Sequence, residues 1–226
     1  MRATLVLIAG LLSAASATSL TKLVTFDGAP GTTFQWEDLN DPVMGGRSTS
    51  TFKIDAEKKV GIFNGTCAIV PKLKAPGFAK VTTRRDSTGF ADLSSMIEGS
   101  LELRVRSMTP NFAGFRVAFA AKNVPRTSIF GGGSFKAQFN LTDTTDVQVI
   151  KVPFTSFSYD WSPFTGNCFT KDPTGQQHHC CSDIDNRKYC PTAKYLGTIT
   201  DVEVWAEGAE GDFHIEISYI GATLDQ

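Results

Sequence analysis

Residues 213–220 read Phe213-His214-Ile215-Glu216-Ile217-Ser218-Tyr219-Ile220, an apolar side chain at nearly every second position with polar ones between. Period two is the mark of a strand with one face buried and the other wet. The same alternation recurs in Leu101-Glu102-Leu103-Arg104-Val105-Arg106 and in Gly114-Phe115-Arg116-Val117-Ala118-Phe119. It appears again in Val147-Gln148-Val149-Ile150-Lys151-Val152 and in Ile199-Thr200-Asp201-Val202-Glu203-Val204-Trp205. Gly, Pro and Asn punctuate the intervals, at residues 28–31, 45–46, 76–77, 110–111, 131–133 and 208–211. No window carries a helical apolar stripe over three turns. One short helical turn is expected at residues 91–97, with Asp92 or Ser94 as its cap. Many short strands separated by turns make an all-β sandwich or barrel.

Outward from these strands, the N-terminus bears on the compartment. Met1-Arg2 supplies a positive start, residues 5–12 (LVLIAGLL) an apolar run, and residues 13–17 (SAASA) a small-residue cleavage site. This is the tripartite pattern of a secretory signal peptide over residues 1–17, cut after Ala17. The run is too short for a permanent bilayer span, and no later stretch is long and apolar enough to be one. One domain over residues 18–226 is expected, with 17 Phe to build its core. The formal net charge is −1, so no electrostatic ground exists for a nucleic-acid or anionic-membrane partner.

The five cysteines are Cys67, Cys168, Cys180, Cys181 and Cys190, four of them clustered within the long interruption at about residues 158–198. In an oxidising compartment this reads as a disulfide-linked insertion. Neighbouring cysteines rarely bond each other, leaving two pairings: 168–180 with 181–190, or 168–181 with 180–190. Zinc is the competing reading, since His178 and His179 stand beside the cysteines. No Cys-x-x-Cys pair exists, however, and vicinal Cys180-Cys181 cannot readily both ligate one tetrahedral ion. No metal and no cofactor are therefore expected. Cys67 is left unpaired and buried. Asn64-Gly65-Thr66 and Asn140-Leu141-Thr142 are glycosylation sequons.

The most distinctive local sequence is Trp36-Glu37-Asp38-Leu39-Asn40-Asp41-Pro42-Val43-Met44-Gly45-Gly46-Arg47-Ser48. Here the chain resembles the complex I intermediate-associated protein 30 family, whose members carry a Trp followed by an Asn-Asp-x-Val-Met-Gly-Gly-x-Ser loop. The resemblance continues through Phe63-Asn64-Gly65, Gly77-Phe78-Ala79, residues 101–106 and Val152-Pro153-Phe154, and ends at Ile220. It implies a two-sheet jelly-roll sandwich of the galactose-binding-like type and a family role in assembling or scaffolding membrane complexes. Two features depart from the family pattern. Lys80-Val81-Thr82 stands where the family runs into Ser-x-Arg, and the Cys-rich insertion is additional. The N-terminus, with one Arg, does not read as a mitochondrial transit peptide.

Two readings of the motif loop stand side by side. It presents Asn40, Asp41 and Ser48 to a ligand, or it folds under the sandwich as a turn anchored by Trp36, Val43 and Met44, with Gly45 and Gly46 allowing a close approach. Tyr159, Trp161 and Arg187, on or beside the insertion, are candidate ligand contacts through stacking and directed hydrogen bonds. Alternatively, Trp161 caps the core. Gly131-Gly132-Gly133 lacks the strand–turn–helix setting of a phosphate loop. Neither a Gly-x-Ser-x-Gly elbow nor a metal-ligand cluster of known spacing occurs, so no catalytic residue is assigned. The leading expectation is a non-catalytic secreted module that binds a carbohydrate or a protein. The rival readings are an assembly or scaffold factor and a carbohydrate-active enzyme.

Overall fold

The computed structural model describes residues 19–41, 45–73, 77–84, 89–126, 133–142, 144–169, 171–182 and 184–224. Residues 1–18, which include the expected signal peptide, and Pro42, Val43 and Met44 of the motif loop lie outside them.

The C-terminal alternation forms the longest strand, and the first sheet is built around it. The strands in chain order are β1 (Ser19–Thr25), β2 (Trp36–Asn40), β3 (Thr49–Asp55), β4 (Val60–Cys67), β5 (Phe78–Thr83) and β6 (Ser100–Ser107). Then come β7 (Phe115–Ala121), β8 (Ser134–Gln138), β9 (Gln148–Pro153), β10 (Ile199–Glu207) and β11 (Gly211–Leu224). The first sheet has the order β3-β4-β11-β6-β9, with β1 also paired to β11. The second has the order β2-β5-β10-β7-β8. Every strand pairing is antiparallel. Sequence neighbours repeatedly sit in opposite sheets, which makes the sandwich a jelly roll.

β11 shows how pattern becomes register. Phe213, Ile215 and Ile217 point into the core, and the phase then shifts so that Ile220 and Ala222 do. The extra residue, Ser218, lies at a register irregularity between Ile217 and Tyr219 against β6. A bulge of this kind lets one strand keep an apolar face when its sequence breaks period two. It also divides the strand's partners along one edge, β4 taking residues 211–217 and β1 residues 219–224.

Between the sheets lies one large cluster rich in Phe, including Phe26, Phe63, Phe115, Phe119, Phe135, Phe154, Phe157 and Phe213. Rings contact across it, as Phe63 does Phe213 at 4.8 Å and Phe119 does Phe135 at 5.2 Å. The expected helical turn is a single 3₁₀ turn at Ser94–Met96, packed against α1 (Ala193–Leu196). Among the described residues no helix is long and apolar enough to cross a membrane.

The long interruption is an ordered insertion. Its disulfides are Cys168–Cys180 and Cys181–Cys190, the first of the two expected pairings, and Cys67 is buried and free. It lies over the outer face of the second sheet, where one side chain of the insertion, Trp161, packs on Ala118 and Trp205.

That placement corrects the expectation of a wet outer face. Arg116, Lys136, Glu203, Trp205 and Glu207 occupy the outward positions of β7, β8 and β10, yet all are buried. Their strands alternate for the core, but the insertion removes solvent from the other side.

The face assignments of the first sheet can be checked by truncation. Ile215→Ala, at a fully buried position of β11, is expected to cost about 2–5 kcal/mol of unfolding free energy. Val149→Ala, on the half-exposed outer face of edge strand β9, is expected to cost less than about 0.5 kcal/mol. Chemical denaturation of the two variants measures the contrast.

Candidate functional site

The motif loop is organised by one carboxylate. Asp41 Oδ1 accepts the backbone N–H of Ser48 at 2.8 Å. Its Oδ2 accepts the Ser48 hydroxyl at 2.9 Å and the backbone N–H of Phe78 at 3.1 Å. The Ser48 hydroxyl oxygen in turn accepts from the Ala68 N–H at 3.1 Å. Asp41 and Ser48 are buried, so these bonds replace lost water contacts. Gly46 comes close enough that a Cβ there would overlap the Asp41 carboxylate. Asn40 Oδ1 accepts the Ser50 hydroxyl at 2.7 Å, and Trp36 stacks on Phe52 at 4.8 Å. Asn40, Asp41 and Ser48 therefore tie the end of β2 to β3, β4 and β5.

Inside the insertion a second carboxylate plays a similar part. Asp160 Oδ1 lies 2.9 Å from His178 Nδ1, and its Oδ2 lies 2.7 Å from His179 Nδ1. His178 Nε2 faces Asp172 Oδ2 at 3.4 Å. The Thr174 hydroxyl donates to Asp172 Oδ1 and holds that carboxyl below the usual carboxylate range. The Ser158 hydroxyl donates to the His179 carbonyl at 2.6 Å, not to an imidazole nitrogen. His179 stacks on Tyr189 at 4.8 Å, and Tyr159 meets Tyr189 edge-on. With two disulfides, this network orders a segment that has little apolar core of its own.

Where the insertion meets the second sheet, a charged layer is sealed. Lys136 Nζ donates to Glu207 Oε2 at 2.6 Å, and lies 3.5 Å from the Trp161 ring centroid and 4.3 Å from that of Trp205. Arg116 Nε lies 3.5 Å from Glu207 Oε2 and donates to the Gly166 carbonyl at 2.9 Å, while its Nη1 donates to the Glu207 backbone carbonyl. Gly166, at φ +68°, passes so close that a Cβ would overlap the Glu207 carboxylate. Burial pushes the Lys136 ammonium down from 10.5 to about 8, against the pull of Glu207.

Beyond the insertion's edge the same face opens into a cleft of about 430 Å³. Thr82 of β5, Asp201 and Glu203 of β10, Ser134 of β8, and Asn123 and Arg126 of the loop after β7 supply its polar lining. Glu203 is held in one orientation: Oε1 accepts from Lys80 at 3.0 Å and Oε2 from the Trp205 indole at 2.9 Å. Each carboxylate oxygen retains a further lone pair for an incoming donor. Phe78, Trp161, Lys80 and Lys136 crowd the Trp205 ring, and among the described residues no aromatic side chain lines the cleft.

The three suggested ligand contacts do not come together. Trp161 is 5% exposed and packs down on the charged layer, donating its indole N–H to the Ser134 carbonyl at 3.3 Å. A ligand could stack on it only by displacing Lys136. Tyr159 is partly buried against Phe135 and Tyr189. Arg187 lies in a separate groove with Glu98 and the Cys181–Cys190 disulfide. Of the sequons, Asn140 is exposed just beyond β8, whereas Asn64 is half-buried within β4 and accepts the Thr51 hydroxyl at 2.7 Å. The cleft residues escaped the sequence reading because each is an ordinary polar residue on a strand or loop. The one available signal was Trp205, a large aromatic side chain in an outward position.

The chain matches the family model described as Complex I intermediate-associated protein 30 (CIA30) over residues 24–168, and it belongs to that family. No curated protein matches it in sequence. In structure it is similar to CtCBM11, known from a study of its solution structure, dynamics and binding, with TM-score 0.50, 14% identity, and coverage of 94% of this chain and 99% of that one. It is also similar to a family 11 carbohydrate-binding module from Clostridium thermocellum in complex with a β-1,3-1,4-mixed-linked tetrasaccharide, with TM-score 0.49, 11% identity, and coverage of 92% and 96%. A third similar structure is the family 30 carbohydrate-binding module of the cellulosomal cellulase Cel9D-Cel44B of Clostridium thermocellum, with TM-score 0.42, 15% identity, and coverage of 93% and 99%. At these identities the likeness to CtCBM11 speaks for a shared jelly-roll fold.

The sealed layer makes a prediction about stability. Glu207→Gln leaves the Lys136 and Arg116 charges without their carboxylate and is expected to cost about 3–5 kcal/mol. Because the folded-state pKa of Lys136 lies below its ordinary value, the unfolded chain binds the extra proton between about 8 and 10.5. This residue's contribution to stability therefore rises with pH across that window. Lys136→Met is expected to remove that part of the slope, read from denaturation midpoints at stepped pH.

Proposed function

We propose that this family member is a non-catalytic binding module, exported to an oxidising compartment, that takes a hydroxyl-rich carbohydrate in the cleft on the outer face of the second sheet. The observation that carries the reading is the oriented Glu203 carboxylate in a cleft whose other lining side chains include Thr82, Asn123 and Ser134. Sugars offer many hydroxyl donors and acceptors at fixed angles. A site that already holds its acceptors in place pays little ordering entropy to meet them. Recognition in this cleft would rest on hydrogen bonding, because the nearby Trp rings are covered.

Export is supported by the two disulfides, which persist in oxidising compartments, and by the signal-peptide pattern of residues 1–17. A non-catalytic role is supported by how the polar clusters are used: Ser158 donates to a carbonyl, and Asp41, Asp160 and Glu207 hold structure together. A second reading, a scaffold that holds a protein partner during assembly, draws on the family to which the chain belongs.

Two measurements test these points. On a glycan panel the secreted protein is expected to bind a saccharide, and Thr82→Val and Asn123→Ala are each expected to weaken that binding by roughly fivefold, the worth of one hydrogen bond. No glycan binding, together with one protein reproducibly captured by proximity labelling, would turn the reading to the scaffold. Intact mass of the secreted chain is expected to place its first residue at Thr18; a retained leader would remove the export proposal.

A further inference from the structure

The cleft carries a charge that a neutral sugar would leave unused. Most of the charged groups on this face already have partners. Glu203 is taken by Lys80 and the Trp205 indole, and Lys136 and Arg116 by Glu207. Asp201 also has a partner. Arg126 is the exception: it lines the cleft, it is exposed, and among the described residues it makes no hydrogen bond, ion pair or ring contact.

Such an Arg presents a planar fork of N–H donors that fits a carboxylate with two parallel hydrogen bonds. A ligand that met only Thr82, Asn123, Ser134 and Glu203 would gain nothing from it. The geometry points to an acidic saccharide, one that bears a uronic-acid-type carboxylate. The carboxylate engages Arg126 at the rim while the sugar hydroxyls meet the uncharged lining and Glu203. Lys80, held against Glu203 at 3.0 Å, keeps that carboxylate from repelling the anionic ligand as an unpaired charge would. This assignment rests on the carbohydrate reading of the same cleft and narrows it.

The test is calorimetric titration of the intact secreted protein with tetragalacturonate and with the neutral galactose tetrasaccharide of the same length. The acidic sugar is expected to bind about tenfold more tightly, with the ratio shrinking as salt is raised. Arg126→Gln is expected to bring the ratio to about one without moving the thermal midpoint, since the side chain is exposed. Arg126→Lys, which keeps the charge and loses the fork, is expected to give an intermediate ratio. Equal affinities in the native protein, or a preference that survives Arg126→Gln, would overturn the inference. Binding of neutral saccharides alone would overturn it while leaving the carbohydrate reading in place. If no sugar on the wider panel binds, both fall together.

Discussion

Burying the Glu207 carboxylate between Lys136 and Arg116 is the constraint on which the second half of the structure turns. Taking charges out of water costs several kcal/mol per ion, and that cost is offset only where geometry satisfies every group. The structure meets this condition with parts drawn from distant segments. β8 brings Lys136, β7 brings Arg116, β10 brings Glu207, and the insertion brings the Trp161 ring and the Gly166 carbonyl. Gly166 lies so close to the carboxylate that a side chain there would overlap it. The disulfides and the Asp160–His178–His179 network then hold the insertion there without an apolar core of its own.

That seal also shapes the open part of the face. Trp161 and Lys136 cover one side of Trp205, and Lys80 lies over its ring at 4.7 Å. The indole N–H is left to orient Glu203. A residue type often associated with sugar stacking here serves as a positioning group, and the cleft beside it is polar. Asp41, at the same end of the sheet, does something similar, joining the end of β2 to Ser48 before β3 and to Phe78 of β5 through one buried carboxylate. In both places a buried acid fixes geometry that hydrophobic packing alone would leave adjustable.

The structure separates three levels of legibility in the sequence. Strand identity was open to reading because alternation is a local property, and the shifted phase at Ser218 resolves into a bulge rather than a break. The four clustered cysteines announced a cross-linked insertion, while their pairing needed the folded chain. The motif loop was visible as turn chemistry, but the role of Asp41 depended on the Phe78 N–H, 37 residues away in the chain. Thr82 was marked only as part of a departure from the family pattern, and Asn123 and Arg126 carried no local signature at all.

What the sequence determined by itself was the all-β class, the five alternating strands within residues 101–106, 114–119, 147–152, 199–205 and 213–220, and the presence of a disulfide-stapled insertion. Each follows from short-range periodicity or residue chemistry. Only the tertiary structure decided that part of the opposite face of the second sheet would be dry, because that depends on where the insertion lands. The same long-range choice buried Arg116, Lys136 and Glu207, removed Trp161 from the surface and left the polar cleft at the insertion's edge. A period-two pattern specifies one covered face and is silent about what covers the other.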